Sequence, residues 1–209
     1  MEVWNTAEAS DKKLAVSYDY DDYYDDDYDD YDDGYGYDSG YGYSNEGYTN
    51  DGTNVNLFGY GSYTIDLSSG YYGTAVNINA AYSAGNNVLI GNYTSNIILA
   101  GSGASSLWGG ADYANDVLVG GSNADMFYCG RGEGNDAILN ASSADLVWLH
   151  NVALSDITAT AYDGTTFALA FNTGNVLTIA CTDYYSPSIL TADGGAYRFN
   201  RMTASWQQA

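Results

Sequence analysis

The sequence predicts an all-β protein, in which a parallel β-solenoid follows a disordered acidic tail and precedes an antiparallel β cap. Three observations predict this fold class. One short phrase repeats between Asn86 and Trp148, its period is lost after Trp148, and Asp and Tyr dominate the N-terminal quarter. The composition agrees, because the 209 residues include 25 glycines and 23 tyrosines but a single proline. Tyrosine suits a pleated surface, and glycine suits the tight turns between strands.

Residues 1–51 form the predicted disordered spacer. Every residue from 18 to 33 is Asp or Tyr. Carboxylates at this density repel one another, and ordering the backbone costs about 1–2 kcal/mol per residue when no core offsets it. A solvated linker is the favoured interpretation. The alternatives are a low-affinity calcium reservoir, or tyrosines that adhere to a surface or cross-link oxidatively.

Residues 52–150 form the predicted solenoid, with ordered structure expected to begin near Asn54. Its first strands alternate apolar and polar residues, the period-two pattern of strands, at residues 55–58, 63–67 and 75–79. The repeated phrase follows, and each copy has a polar turn, an anchor residue and an apolar run. The anchors are Asn87, Asn96, Ser106, Asp116, Asp125, Asp136 and Asp145, in steps of 9, 10, 10, 9, 11 and 9 residues.

A period this short leaves room for one strand and one tight turn per copy, which is typical of a solenoid whose repeats contact only their neighbours. With two strands in each coil, copies two apart along the sequence stack on the same side. The prediction therefore pairs Asp116 with Asp136 on one edge and Asp125 with Asp145 on the other.

Residues 151–209 form the predicted antiparallel cap, which covers the open end of the solenoid. Residues 158–162, 166–171 and 176–179 are predicted strands. Asp163-Gly164 is a strong signal for a tight turn between the first two of them. Alternation along the middle strand places Phe167, Leu169 and Phe171 on one face.

Charge restricts the partners. The formal net charge is −22 with only five basic residues, so nothing neutralises phosphates, and nucleic acid and anionic membrane surfaces are not expected to bind. No apolar stretch approaches the ~20 residues that span a bilayer, so membrane insertion is not expected. An excess of carboxylates instead favours a cation, and calcium is the simplest.

The N-terminus and the cysteines say less about export and disulfide bonding. The first six residues lack the basic and then apolar build of a secretory signal, so we expect either another export signal or a longer parent chain. Two cysteines, Cys129 and Cys181, are too few for a disulfide framework. They are either small buried residues or one bridge.

One copy of the phrase carries a family resemblance. Residues 120–128 match the nonapeptide G-G-x-G-x-D-x-U-x, except that Asn123 stands at the third glycine. Residues 120–138 resemble the RTX, or haemolysin-type calcium-binding, repeats, and residues 192–199 are similar to the region that follows such repeats. The resemblance implies a parallel β-roll that folds on binding calcium outside the cell, exported by type I secretion with an uncleaved C-terminal signal.

The repeat and the resemblance together predict calcium in the second half of the solenoid, at one to three sites. The candidate ligands are Asp116, Asp125, Asp136, Asp145 and Asp112. The first three anchors carry no charge, so packing and stacked Asn side chains are expected to hold that half instead. The alternative is that these aspartates are ordinary turn residues.

The predicted function is a calcium-binding module of a secreted or surface-associated bacterial protein of the adhesin or matrix type. Its expected partners are calcium ions and cell-surface or matrix components; the oligomeric state stays open. The alternatives are a metal-independent structural solenoid, and the secretion and folding module of a larger exported enzyme. The chain itself is not expected to be an enzyme, because its lone His150 has no nearby nucleophile in sequence.

For several other residues the sequence predicts only packing or surface roles. Arg131 and Glu133 are expected to form a weak surface ion pair, and His150 is expected to pack against the cap. Four aromatic residues are candidates for a carbohydrate-stacking face, although core or edge packing is favoured: Trp108, Phe127, Tyr128 and Trp148.

Overall fold

A computed structural model describes residues 46–183, 186–200, 202–203 and 205–209. It is all β, with two single-turn 3₁₀ helices at Leu67–Ser69 and Leu154–Asp156. The predicted fold class, a parallel β-solenoid with an antiparallel C-terminal cap, is confirmed. The Asp/Tyr tract of the predicted spacer lies outside the described residues. Ordered structure begins before Asn54, because a strand already forms at Gly47–Asn50.

Seventeen strands in the described part of the chain form two sheets. The first sheet follows the spatial order β1-β2-β4-β6-β8-β10-β14-β13-β12. Its strands are β1 (Gly47–Asn50), β2 (Asn54–Gly59), β4 (Asn77–Ser83), β6 (Ile97–Leu99), β8 (Val117–Val119), β10 (Ala137–Ala141), β12 (Ile157–Tyr162), β13 (Thr166–Phe171) and β14 (Val176–Cys181).

The second sheet follows the order β17-β16-β15-β11-β9-β7-β5-β3. Its strands are β3 (Thr64–Asp66), β5 (Val88–Ile90), β7 (Ser106–Trp108), β9 (Met126–Cys129), β11 (Leu146–Leu149), β15 (Ser188–Thr191), β16 (Ala196–Asn200) and β17 (Ser205–Gln208). Because consecutive strands of the solenoid alternate between the sheets, each coil contributes one strand to each sheet.

Every solenoid strand places a central apolar side chain in the core. Most solenoid strands are three to five residues long, and the pleat turns the middle residue inward. The inward residues of the first sheet stack in register as Val55, Ile78, Ile98, Leu118, Ile138 and Ile179. Those of the second sheet stack as Ile65, Leu89, Leu107, Phe127, Val147 and Ile189. Two facing apolar ladders therefore run the length of the solenoid.

Leu118 tests this core directly. Leu118→Ala is expected to lower the free energy of unfolding by about 2–5 kcal/mol, because the buried strand centre cannot collapse around the lost atoms. Val119→Ala, on the half-buried outer face of the same strand, is the matched control and should cost less. Urea denaturation followed by circular dichroism measures both. Equal losses would contradict a core built from one inward residue per strand.

The C-terminal end is capped twice, once on each sheet. Beyond the last parallel strand of the first sheet, β14, the antiparallel strands β13 and β12 continue the ladder. This is the predicted hairpin, and Phe167, Leu169 and Phe171 all lie in the core. Beyond β15, the antiparallel pair β16 and β17 does the same for the second sheet. The sequence patterns did not predict β15, β16 or β17.

Asn side chains stack in the N-terminal half, as predicted. Asn77 Nδ2 donates to Asn54 Oδ1 at 3.1 Å, and Asn79 Nδ2 donates to Asn56 Oδ1 at 3.1 Å. Each pair joins neighbouring strands of the first sheet, so uncharged amides hold this half together. Cys129 and Cys181 are not joined by a disulfide. Among the described residues, no helix has the length and apolar character needed to cross a membrane.

Candidate metal centre

The anchor residues stack along the two edges where the chain turns from one sheet to the other. We call the stack that precedes the first-sheet strands the first edge. It contains Asn96, Asp116 and Asp136. The stack before the second-sheet strands is the second edge, and it contains Asn87, Ser105, Asp125 and Asp145. Each edge brings together the aspartates that the repeat pairs: the Asp116 backbone N–H donates to Asp136 Oδ1 at 2.9 Å, and that of Asp125 donates to Asp145 Oδ1 at 2.8 Å.

The sequence analysis assigned one anchor to the wrong residue. Ser105, not Ser106, occupies the anchor position, because the Ser105 N–H donates to Asp125 Oδ1 at 2.8 Å. Ser106 is the first residue of β7 and pairs with Met126. The sequence does contain a signal for this register. Every anchor stands two residues before the inward apolar residue, which is Leu107 in this copy.

On the second edge, every carboxylate oxygen of Asp125 and Asp145 has a backbone donor. Asp125 accepts from the Ser105 N–H at its Oδ1 and from the Gly121 N–H at its Oδ2, the latter at 2.6 Å. Asp145 Oδ2 likewise accepts from the Ser142 N–H at 2.7 Å. Such charge-assisted bonds stabilise the ionised carboxylate, although burial raises the pKa of Asp125. On this edge the aspartates fasten one coil to the next without any further ligand.

The first edge is different, because one buried carboxylate oxygen lacks a partner. Asp116 is 1% exposed, and its Oδ1 accepts from the Asn96 N–H at 2.8 Å. Its Oδ2 is buried and has no hydrogen-bond partner among the described residues. That oxygen lies against the Gly109 backbone, where a Cβ would overlap it. A buried acceptor left without a donor costs free energy and calls for an explanation.

Further acidic side chains surround Asp116 and perturb its titration. Burial, opposed by the bond from the Asn96 backbone and reinforced by Asp112 and Glu133, raises the pKa of Asp116 to about 6. Burial also raises the pKa of Asp136, to about 7, and the charges of Asp116, Glu133 and Asp112 contribute. Each of these acids disfavours ionisation of its neighbours, so a cation on this edge would be attracted strongly.

Glu133 is the acidic residue that the sequence analysis missed. The predicted surface pair with Arg131 is wrong: Arg131 Nη1 lies 3.2 Å from Asp156 Oδ1. Glu133 is only 5% exposed, and its Oε1 lies 2.8 Å from His150 Nε2. This contact raises the pKa of His150. Adjacent coils bring the two residues together, so no local sequence signal could have paired them.

The first edge thus offers oxygen ligands to a hard cation. The carboxylates available are those of Asp116 and Asp136, with Asp112 and Glu133 nearby. No group of three His, Cys, Asp or Glu side chains in the described part of the chain is already arranged as a metal-ligand set. A bound ion would therefore also need oxygens from turn carbonyls or water, which calcium accepts readily. The unpartnered Asp116 Oδ2 fits such an ion, whereas each carboxylate oxygen of Asp125 and Asp145 on the second edge already has a backbone donor.

Comparison with known proteins does not place the chain in a family. No protein-family model and no curated protein sequence matches it. The assignment of function therefore depends on the chemistry of the two edges.

Proposed function

We propose that this chain is a calcium-binding, calcium-stabilised β-roll module of a secreted or surface-associated bacterial protein of the adhesin or matrix type. The observation that carries the proposal is the buried, unpartnered Oδ2 of Asp116. Calcium takes six to eight oxygen ligands and favours carboxylates and carbonyls. An ion on the first edge would give that oxygen a partner and neutralise the repulsion among the surrounding acids.

Asp116 and Asp136 are the principal ligands in this proposal. They lie in register on neighbouring coils, so an ion between them ties one coil to the next. Asp112 and Glu133 supply additional negative charge. Asp125 and Asp145 are structural in the first place, because backbone N–H groups already occupy their oxygens.

The acidic composition supports an extracellular setting. A chain of net charge −22 repels itself in the compact state. Extracellular calcium sites commonly have dissociation constants of about 10⁻⁴–10⁻³ M, so millimolar calcium outside the cell would fill such a site and low cytosolic calcium would not. The module would then be most stable after export, where its partners are cell-surface or matrix components.

A metal-independent structural solenoid is the second candidate, and a specific observation favours it. Backbone N–H groups on both edges bind anchor side chains of the next coil at 2.8–2.9 Å. This ladder requires no ion. Folding in the presence of chelator is its distinguishing expectation.

A calcium titration of the full chain separates the two candidates. With a dissociation constant in the extracellular range, 10 mM calcium adds about 1.4–2.7 kcal/mol to the free energy of unfolding. The melting temperature, followed by circular dichroism, should rise by about 3–10 °C over that in EDTA. The same concentration of magnesium should do much less, because magnesium demands stricter geometry and dehydrates reluctantly.

Two isosteric variants assign the effect to an edge. Asp116→Asn keeps an acceptor for the Asn96 N–H but removes the orphaned charge, so it should stabilise the protein in EDTA and abolish the response to calcium. Asp125→Asn, the matched control, removes an oxygen that accepts from Gly121. It should weaken the protein in EDTA and leave the response to calcium. A response that Asp116→Asn leaves intact would contradict the first-edge site.

A further inference from the structure

The outer face of the second sheet carries a column of aromatic side chains. Trp108, Tyr128 and Trp148 occupy one register position on the neighbouring strands β7, β9 and β11. All three are half-buried on the surface, whereas Phe127, between two of them in sequence, points into the core. Since neighbouring strands lie about 4.8 Å apart, Trp108 and Trp148 are separated by roughly 10 Å along the solenoid axis.

These rings border a groove of about 370 Å³, with Val88, Ser106 and His150 among its other walls. The volume lies at the small end of the ~300–1,000 Å³ typical of small-ligand sites. The Tyr128 and Trp148 rings are tilted against each other at 5.2 Å, and the Trp108 ring meets His150 edge-on at 6.0 Å. The groove therefore has firm aromatic walls.

Polar groups in the groove are few, and the ring nitrogens Trp108 Nε1 and His150 Nε2 are buried without a well-aligned hydrogen bond. Trp108 Nε1 is buried and has no hydrogen-bond partner in the part of the chain that is described, although a buried indole N–H usually finds one. Trp206 provides the contrast, because its Nε1 donates to Thr160 Oγ1 at 3.1 Å. Ser106 adds a half-exposed hydroxyl, and Glu133 Oε1 lies 2.8 Å from His150 Nε2, although the two groups are not aligned as a hydrogen bond.

The charge of the groove selects a neutral ligand. Among its described lining residues there is no Asp, Glu, Lys or Arg, and Glu133 neutralises the charge of His150 when that residue is protonated. A polyanion would also meet the overall charge of −22. A neutral ligand with both apolar C–H faces and hydroxyl groups matches aromatic walls interspersed with isolated donors.

We infer that this groove binds one or two neutral hexopyranose units of a glycan chain. The sugar C–H faces pack on Trp108, Tyr128 and Trp148, and a sugar hydroxyl bonds to the half-exposed hydroxyl of Ser106. The site adjoins the proposed calcium edge through the contact between His150 and Glu133, but none of its sugar contacts requires an ion. It would give the module a direct means of attachment to neutral polysaccharide.

Indole N–H resonances test the inference residue by residue. The full ¹⁵N-labelled chain, in calcium-containing buffer, is titrated with neutral di- to tetrasaccharides of glucose, mannose and galactose, and with a galacturonate oligomer as the anionic control. The indole signals of Trp108 and Trp148 should shift saturably with at least one neutral series. The signal of Trp206 should not move, and the anionic oligomer should leave all of them unchanged.

Conservative variants complete the test. Ser106→Ala keeps the aromatic walls but removes the hydroxyl, so the affinity should fall about three- to tenfold. Tyr128→Ala should abolish binding, and Trp206→Phe should not alter it. Asp116→Asn should retain binding even if calcium binding is lost, which separates this inference from the proposed function. The inference is overturned if no neutral sugar shifts Trp108 and Trp148, if Trp206 shifts equally, or if only apolar peptides bind.

Discussion

Replacing Gly134 with alanine is expected to cost about 2–5 kcal/mol of unfolding free energy, enough to unfold a marginal domain. Gly134 lies in the turn between β9 and β10 with a φ of +93°, a conformation that costs an L-residue about 1–2 kcal/mol. A Cβ at this position would also overlap the carbonyl oxygen of Ala114 in the preceding coil. Backbone cannot move aside as a flexible side chain can, so overpacking adds about 1–3 kcal/mol.

Gly132 is the matched control in the same turn. Its φ is +78°, but nothing lies within 4 Å of the position that a Cβ would occupy. Gly132→Ala should therefore cost only the conformational part, about 1–2 kcal/mol. Urea denaturation in calcium and in EDTA measures both variants. If the two cost the same, close stacking of the turns is not what requires glycine at residue 134.

Much of the fold was predictable because a solenoid repeats. The period of the anchors predicts one strand per copy. The residue two positions after each anchor points into the core, as Leu118 does after Asp116. Strands β15, β16 and β17 were not predicted because they lie beyond the array, where no repeated phrase marks them. Strand β1 was not predicted because it adjoins the Asp/Tyr tract and pairs with β2 only through the tertiary fold.

Less of the candidate site was predictable. The stacking of Asp116 on Asp136 follows from the two-strand coil, so sequence spacing sufficed. The difference between the edges does not follow from spacing, since Asp116 and Asp125 look equivalent in the repeat. It depends on whether a turn N–H reaches the second carboxylate oxygen, as that of Gly121 reaches Asp125. The turn from Gly109 to Asp116 is two residues longer than the turn from Gly120 to Asp125. Only the three-dimensional path of the backbone shows that no N–H in the longer turn reaches Asp116 Oδ2.

The protein without calcium is expected to become more stable as the pH falls from 8 to 5. In the folded state burial raises the pKa of Asp116 to about 6 and that of Asp136 to about 7, against about 3.9 in the unfolded chain. The folded state therefore holds more protons between these values. This stabilisation is complete below pH 4 and is lost as the pH rises through 6 to 7. One pKa unit corresponds to about 1.4 kcal/mol, so one unit at Asp116 and two at Asp136 give an expected change on the order of 4 kcal/mol.

Two other effects also make the folded state more stable at lower pH, so a variant is needed to isolate the contribution of the aspartates. The raised pKa of His150 also favours the folded state at lower pH, and protonation relieves general charge repulsion. Asp116→Asn retains both of these effects but lacks the Asp116 carboxylate, so its stability should vary less with pH. Urea denaturation in EDTA at pH 5, 6, 7 and 8 provides the comparison. A wild-type stability that rises towards pH 8 would contradict the strained carboxylates.

Calcium should flatten the pH profile, because the ion and the protons compete for the same oxygens. At pH 8 the first-edge carboxylates are ionised, so calcium stabilises the protein most when protons stabilise it least. At pH 5 protons already neutralise Asp116 and Asp136, and calcium must displace them before it binds. The gain in stability from 10 mM calcium should therefore shrink as the pH falls, and should be small at every pH for Asp116→Asn. If calcium gives the wild type an equal gain at pH 5 and pH 8, the ion binds elsewhere, at carboxylates other than those of Asp116 and Asp136.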